Sequence, residues 1–281
     1  MNRRPSAAAR PMAVVIALAV ALPVLVGACA APGAAAPRGS AASPAPVQLV
    51  VFAAASLKQA TQDAAVAYRL VQPGVSIVVS LGASSALRVQ IEQGAPADLF
   101  LSADTANARQ VVTDGLAAGP AVDFAGNSLT VVVPAANPAG ITSPLDLARP
   151  GVRVVTAGPA VPIAKYADAA LANLARQPGY PADFAARVAA NVVSREEDVG
   201  SVLAKVELGE ADAAIVYVTD ARAAHDLRTI AIPAAANVPA VYAGVVLQGS
   251  AHRAAAAAFL AWLAGPAGQA VLGRLGFRPP A

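Results

Sequence analysis

"VFAAASLKQATQDA", residues 51–64, passes from buried-looking apolar residues through three alanines and a serine into a helical pattern. Val47 to Phe52 reads as a strand, and Leu57 to Tyr68 carries helical spacing. Ser56 therefore stands at a helix entrance, where a hydroxyl can satisfy an otherwise unpaired backbone N–H. The alanines before it permit a second reading. They leave room for an anion to approach the free N–H groups of the helix N-terminus. For one isolated serine both readings stand, so recurrence elsewhere in the chain decides between them.

The arrangement recurs. "VVSLGASSAL" (78–87) is again strand, small residues, serine and helix, and puts Ser84 and Ser85 at a helix start. "VVTAGPAVPIAKYA" (154–167) places Pro162, a favoured first-turn residue, at a third entrance. "VVSREEDVGSVL" (192–203) enters a fourth helix near Asp198 and Val199, and Tyr217 ends the strand "AAIVY". Singly, each is ordinary capping or core packing. Jointly they offer mainly donors, which suits a fully deprotonated oxyanion. An anion that carries a proton would need an acceptor.

Strands and helices alternate from Val47 to the C-terminal helix "AHRAAAAAFLAWLAG", with no internal repeat. This order implies an α/β chain with mostly parallel sheets flanked by helices and ligand sites beyond the carboxyl ends of strands. Phe124–Ser128 and Pro233–Val241 read as crossings between two lobes. On that reading lobe 1 spans residues 47–127 and is completed by 236–281, lobe 2 spans 128–235, and a ligand cleft lies between them.

The ends and the charge narrow the function classes. Arg3, Arg4 and Arg10 precede the apolar run "PMAVVIALAVALPVLVG" (11–27), the layout of a signal peptide over residues 1–28. The only cysteine, Cys29, sits in "VGAC" (26–29), which resembles the bacterial lipobox. Residues 29–46, rich in Ala and Pro, form a flexible tether with nothing to bury. The chain has 20 basic and 17 acidic residues, and setting the three leader arginines aside leaves it neutral. Neutrality argues against nucleic-acid or anionic-membrane binding through a basic patch. One cysteine rules out disulfides and thiolate metal sites within the chain, and His225 and His252 are too few for a histidine cluster.

Five motifs in register resemble the molybdate-binding proteins of ABC transporters: "VFAAASL" (51–57), "GAPADLFLSAD" (94–104), "GNSLTVVVP" (126–134), "EDV" (197–199) and "IVYVTDA" (215–221). The resemblance runs from about residue 48 to the "GF" near the C-terminus. It implies a two-lobed periplasmic-binding-protein fold of the second type, with tetrahedral molybdate or tungstate held between the lobes. By motif position it makes Ser56, Ser84 and the Tyr217 phenol side-chain ligands, and Ile163 and Val199 main-chain donors. Ile163 replaces the family's usual alanine, which leaves an N–H in place but changes the pocket's size. The resemblance further implies an extracytoplasmic monomer tethered to the membrane through a lipid on Cys29, an ABC permease as partner, no enzyme activity, no cofactor and no direct protein–metal bond.

Two other classes fit parts of the pattern. A binding protein for sulfate or phosphate would use the same donors. A secreted serine hydrolase would read "GASSA" (82–86) as a nucleophile elbow, with Ser84, an aspartate and His225 or His252 in the usual chain order.

Overall fold

The computed structural model describes residues 45–280, so the leader and Cys29 lie outside the described residues. The chain opens with strand β1 (Val47–Ala54), a 3-10 turn over Ala55–Leu57 and helix α1 (Lys58–Val71). Next come β2 (Val75–Gly82), α2 (Ser84–Glu92), β3 (Leu99–Ser102), α3 (Thr105–Thr113) and β4 (Val122–Asn127). A second group holds β5 (Leu129–Pro134), β6 (Val154–Ala157), α4 (Pro162–Leu174), α5 (Phe184–Ala190), β7 (Val192–Glu196) and α6 (Val199–Glu207). It continues through β8 (Ala214–Tyr217), α7 (Val218–Ala223) and β9 (Leu227–Ala231). The chain ends on β10 (Ala240–Val246), α8 (Arg253–Ala264) and α9 (Pro266–Arg274).

The first sheet runs β2-β1-β3-β10-β4. Its β1 and β3 carry continuous apolar runs because helices cover both faces. Val51, Phe52 and Ala53 pair in parallel with Leu99, Phe100 and Leu101, all buried. Tyr68 at the end of α1 meets Phe259 and Trp262 of α8 edge-on, at 5.0 and 5.2 Å between ring centres. Helices from opposite ends of the chain thus close one core. Gly126 receives the C-terminal tail, donating to Arg278 O and accepting from Arg278 N at 2.6 and 2.9 Å. A Cβ there would lie 2.8 Å from Pro279 O, so the close approach requires glycine.

In the second group β5 lies between β8 and β9, and β6 pairs with β7. A single bridge, Val154 to Ala213, connects the two pieces. These strands and their helices make a second lobe.

The expectation of mostly parallel sheets holds for β2-β1-β3 and β6-β7 and gives way elsewhere. β10 is antiparallel to β3 and β4, and β5 is antiparallel to β8 and β9. The crossings explain the first case. β4 carries the chain out and β10 brings it back, with Ala240 paired to Asn127, so the two strands must run oppositely. Phe124–Ser128 is accordingly a strand for most of its length, with Ser128 alone between β4 and β5.

Candidate functional site

Four strand-to-helix junctions converge on one place. At the end of β1, Ser56 is buried in the 3-10 turn and caps neither that turn nor α1. Its Oγ instead lies 3.0 Å from Tyr242 Oη. Ala83 caps α2 in extended geometry without a side-chain bond, so Ser84 is the first helical residue. Ser84 Oγ accepts the Ala103 amide at 2.9 Å. A main-chain N–H can only donate, so the Ser84 proton is left to point elsewhere.

The second lobe supplies two helix starts and a phenol. Val161 precedes α4, with Pro162 in its first turn and Ile163 next. Asp198 caps α6 by accepting Ser201 N–H at 2.9 Å, which leaves Val199 first in the helix. Amides in a first turn have no acceptor within their own helix, and they carry the positive end of its dipole. Tyr217 ends β8, fully buried, with its ring against Tyr166 and Tyr242 at 6.2 and 5.7 Å. Its hydroxyl meets no protein hydrogen-bond partner. Burial pushes the Tyr217 phenol well up, so it stays protonated and available to donate.

Ser56, Ser84, Ile163, Val199 and Tyr217 all line one tight cavity of about 10 Å³. That is far below the roughly 300–1,000 Å³ typical of organic-ligand pockets, and is room for about one water-sized group. Ala54, Ala55, Gly82, Ala83 and Ala103 complete the wall and let a ligand come close to the main chain. Asp198 is the single carboxylate in the lining, and its Oδ1 is engaged by the α6 amide. Ser85 does not line the cavity.

A larger groove adjoins the cavity and shares Ser56 with it. Asp220 lines this groove, buried, with Oδ2 unpartnered. Burial, and then the charge of Asp198, push its carboxyl up to about 8. At neutral pH it is therefore neutral, and adds no negative charge beside the cavity.

The hydrolase arrangement is not assembled. His225 lies along the groove, and His252 sits before α8 with its amide on Ser250 Oγ. Neither lines the cavity that holds Ser84.

Three residues escaped the sequence reading. Asn127 lies within the "GNSLTVVVP" motif, but nothing in that motif assigns it a contact. Tyr242 reads as strand core, and the Ala103 amide has no side-chain signature at all.

Residues 49–278 match the family described as bacterial extracellular solute-binding protein. The molybdate-binding protein ModA of Mycobacterium tuberculosis is 39% identical over 233 residues, spanning 83% of this chain and 85% of its own. The solved periplasmic molybdate-binding protein of Azotobacter vinelandii has a TM-score of 0.70 at 25% identity, covering 83% of this chain and 100% of that one. The sulfate-binding protein SubI of Mycobacterium tuberculosis has the same TM-score and identity, covering 83% of this chain and 87% of that one.

Proposed function

The chain belongs to the bacterial extracellular solute-binding protein family, and from that premise we propose that it binds molybdate or tungstate for an ABC permease. Support comes from the relatives' names together with the cavity's chemistry. The single observation that carries most is the Tyr217 hydroxyl, a buried donor without a protein partner in a cavity rimmed by three helix starts. Ser56, Ser84 and Tyr217 would donate through side chains, and Ile163 and Val199 through main-chain N–H groups.

Binding occurs between the lobes, so a bound dianion links donors from both. Closure about the crossings at Ser128 and residues 232–239 is the step that assembles the full set, and the permease would recognise the closed form. An uncharged donor set of this size reaches micromolar affinity if it supplies about 8 kcal/mol. Monomeric action is consistent with a site built entirely from one chain. Anchoring through a lipid on Cys29, with residues 29–46 as tether, rests on the "VGAC" sequence.

Sulfate is the second reading, favoured by the equal likeness in shape to SubI. Thermal shifts with molybdate, tungstate, sulfate and phosphate separate the two. At a hundred times Kd the true ligand stabilises by about 2.7 kcal/mol. Molybdate and tungstate are expected to raise Tm; a rise with sulfate or phosphate alone overturns the proposal. For the anchor, Cys29→Ala is expected to block lipoprotein processing and change detergent partitioning while the purified domain still binds. Unchanged membrane extraction overturns lipidation.

A further inference from the structure

The direction of the Ser56 proton follows from a chain of hydrogen bonds that begins at the lobe crossing. Asn127, the last residue of β4, accepts Ser128 N–H through Oδ1 at 2.9 Å. A main-chain amide only donates, so the Asn127 oxygen must face Ser128 and its NH₂ must face the other way. That NH₂ donates to Thr219 Oγ1 at 2.8 Å and to Tyr242 Oη at 3.3 Å. Tyr242 has one proton, and the acceptor beside it is Ser56 Oγ at 3.0 Å. The reverse arrangement would leave the Tyr242 proton buried without a partner, which is the costly alternative. Ser56 thus accepts a hydrogen bond from Tyr242, and its own proton is turned away from that bond.

Taking the cavity to be the oxyanion site proposed above, we infer that Asn127 and Tyr242 are positioning residues that hold the Ser56 hydroxyl as a donor. A serine free to rotate can either donate to an anion or accept from one that carries a proton. The relay occupies one of the two lone pairs and leaves the proton free to donate, so it favours fully deprotonated oxyanions. Ser84 is fixed in the same sense by the Ala103 amide. The two serines reach one end by different means, one through main chain and one through two side chains.

The fold supports the relay mechanically. β10 and β4 slip register between Tyr242 and Ala243, the kind of irregularity that re-aims a side chain. The Tyr242 ring is held by Phe124 at 6.3 Å and Phe277 at 5.5 Å. Burial raises its phenol well above the ordinary value, so it keeps its proton throughout the physiological range.

Calorimetry of molybdate binding to Tyr242→Phe, Ser56→Ala and the double variant tests the inference. Tyr242→Phe keeps the ring and is expected to weaken binding about three- to tenfold. In the Ser56→Ala background the same change is expected to have less than about a twofold effect, because its target hydroxyl is gone. Asn127→Ser, which removes the amide, is expected to follow the same pattern and serves if Tyr242→Phe folds poorly. Equal losses in both backgrounds would mean a packing role and overturn the inference, as would an unchanged Kd for Tyr242→Phe alongside a weakened Ser56→Ala. An unchanged Kd for Ser56→Ala itself removes the oxyanion site, and is a different outcome.

Discussion

The two lobes meet the cavity with different chemistry. The first contributes serine hydroxyls that each already accept one hydrogen bond, from Ala103 N–H at Ser84 and from Tyr242 at Ser56. The second contributes the amides that open α4 and α6 and a phenol that touches no protein acceptor. One half is set in direction before a ligand arrives. The other half has a phenol with no protein partner and first-turn amides with no acceptor in their own helix. On the proposed reading the consequence is an asymmetry in what mutation can reach: side chains matter in the first lobe, and in the second, apart from Tyr217, only the backbone does.

The largest effects are expected where a side-chain donor is lost. Tyr217→Phe and Ser84→Ala should each weaken molybdate binding by roughly ten- to a hundredfold, the cost of one hydrogen bond to a charged group. Calorimetry with the apo Tm measured in parallel checks this. A fall in Tm with an unchanged Kd would show that Ser84 is structural.

A backbone donor calls for a backbone substitution. Val199 is the first residue of α6, and Asp198 before it is extended at φ −153° and ψ 174°. Proline is accepted at both requirements, so Val199→Pro removes the N–H while keeping the helix start. A loss of about tenfold in affinity is expected. Val199→Ala should change it less than about twofold, and equal behaviour of the two variants would remove Val199 from the site.

A smaller, pH-dependent effect belongs to Asp220 in the second lobe. Its carboxyl is pushed up to about 8 in the folded protein, against about 3.9 in an unfolded chain. The folded state therefore keeps a proton that the unfolded state has released. The resulting stability is complete below about pH 4 and is lost as pH rises through about 8. Wild-type Tm should decline from pH 5 to 9 more steeply than that of Asp220→Asn. Molybdate affinity should fall a few-fold above pH 8 in the wild type alone, since an ionised Asp220 repels a dianion. Ser85→Ala, a neighbour of Ser84 outside the cavity lining, is expected to alter affinity least.

The alternation of strands and helices was legible because it depends on runs of residues long enough to show a period. The serines at helix entrances were legible for the same reason, since residue type and local pattern coincide there. Their hydrogen bonds were not. Ser56 looked like a cap, yet it bonds to Tyr242, a residue far along the chain that is brought near only when β10 joins the first sheet. Phe124–Ser128 reads from the sequence as a crossing between lobes, and most of it belongs to β4. Its strand character comes from pairing with β10, and no local pattern records that. α9 was hidden by Gly265 and Pro266, which bend it 60° from α8.

The position of β10 also fixes an order of events. β3 lies between β1 and β10, so one of its edges stays open until residues 240–246 have been made. Leu99, Phe100 and Leu101 are wholly buried in the finished protein, and an unpaired edge of that kind invites a neighbouring chain to add to it. Closing so long a loop costs only slightly more than closing a short one, so the burden falls on time rather than on final stability. A chain cut short before Ala240 has every strand of the second lobe and lacks the one that seals the first. In this fold the arrival of β10 decides whether the edge of β3 is safe.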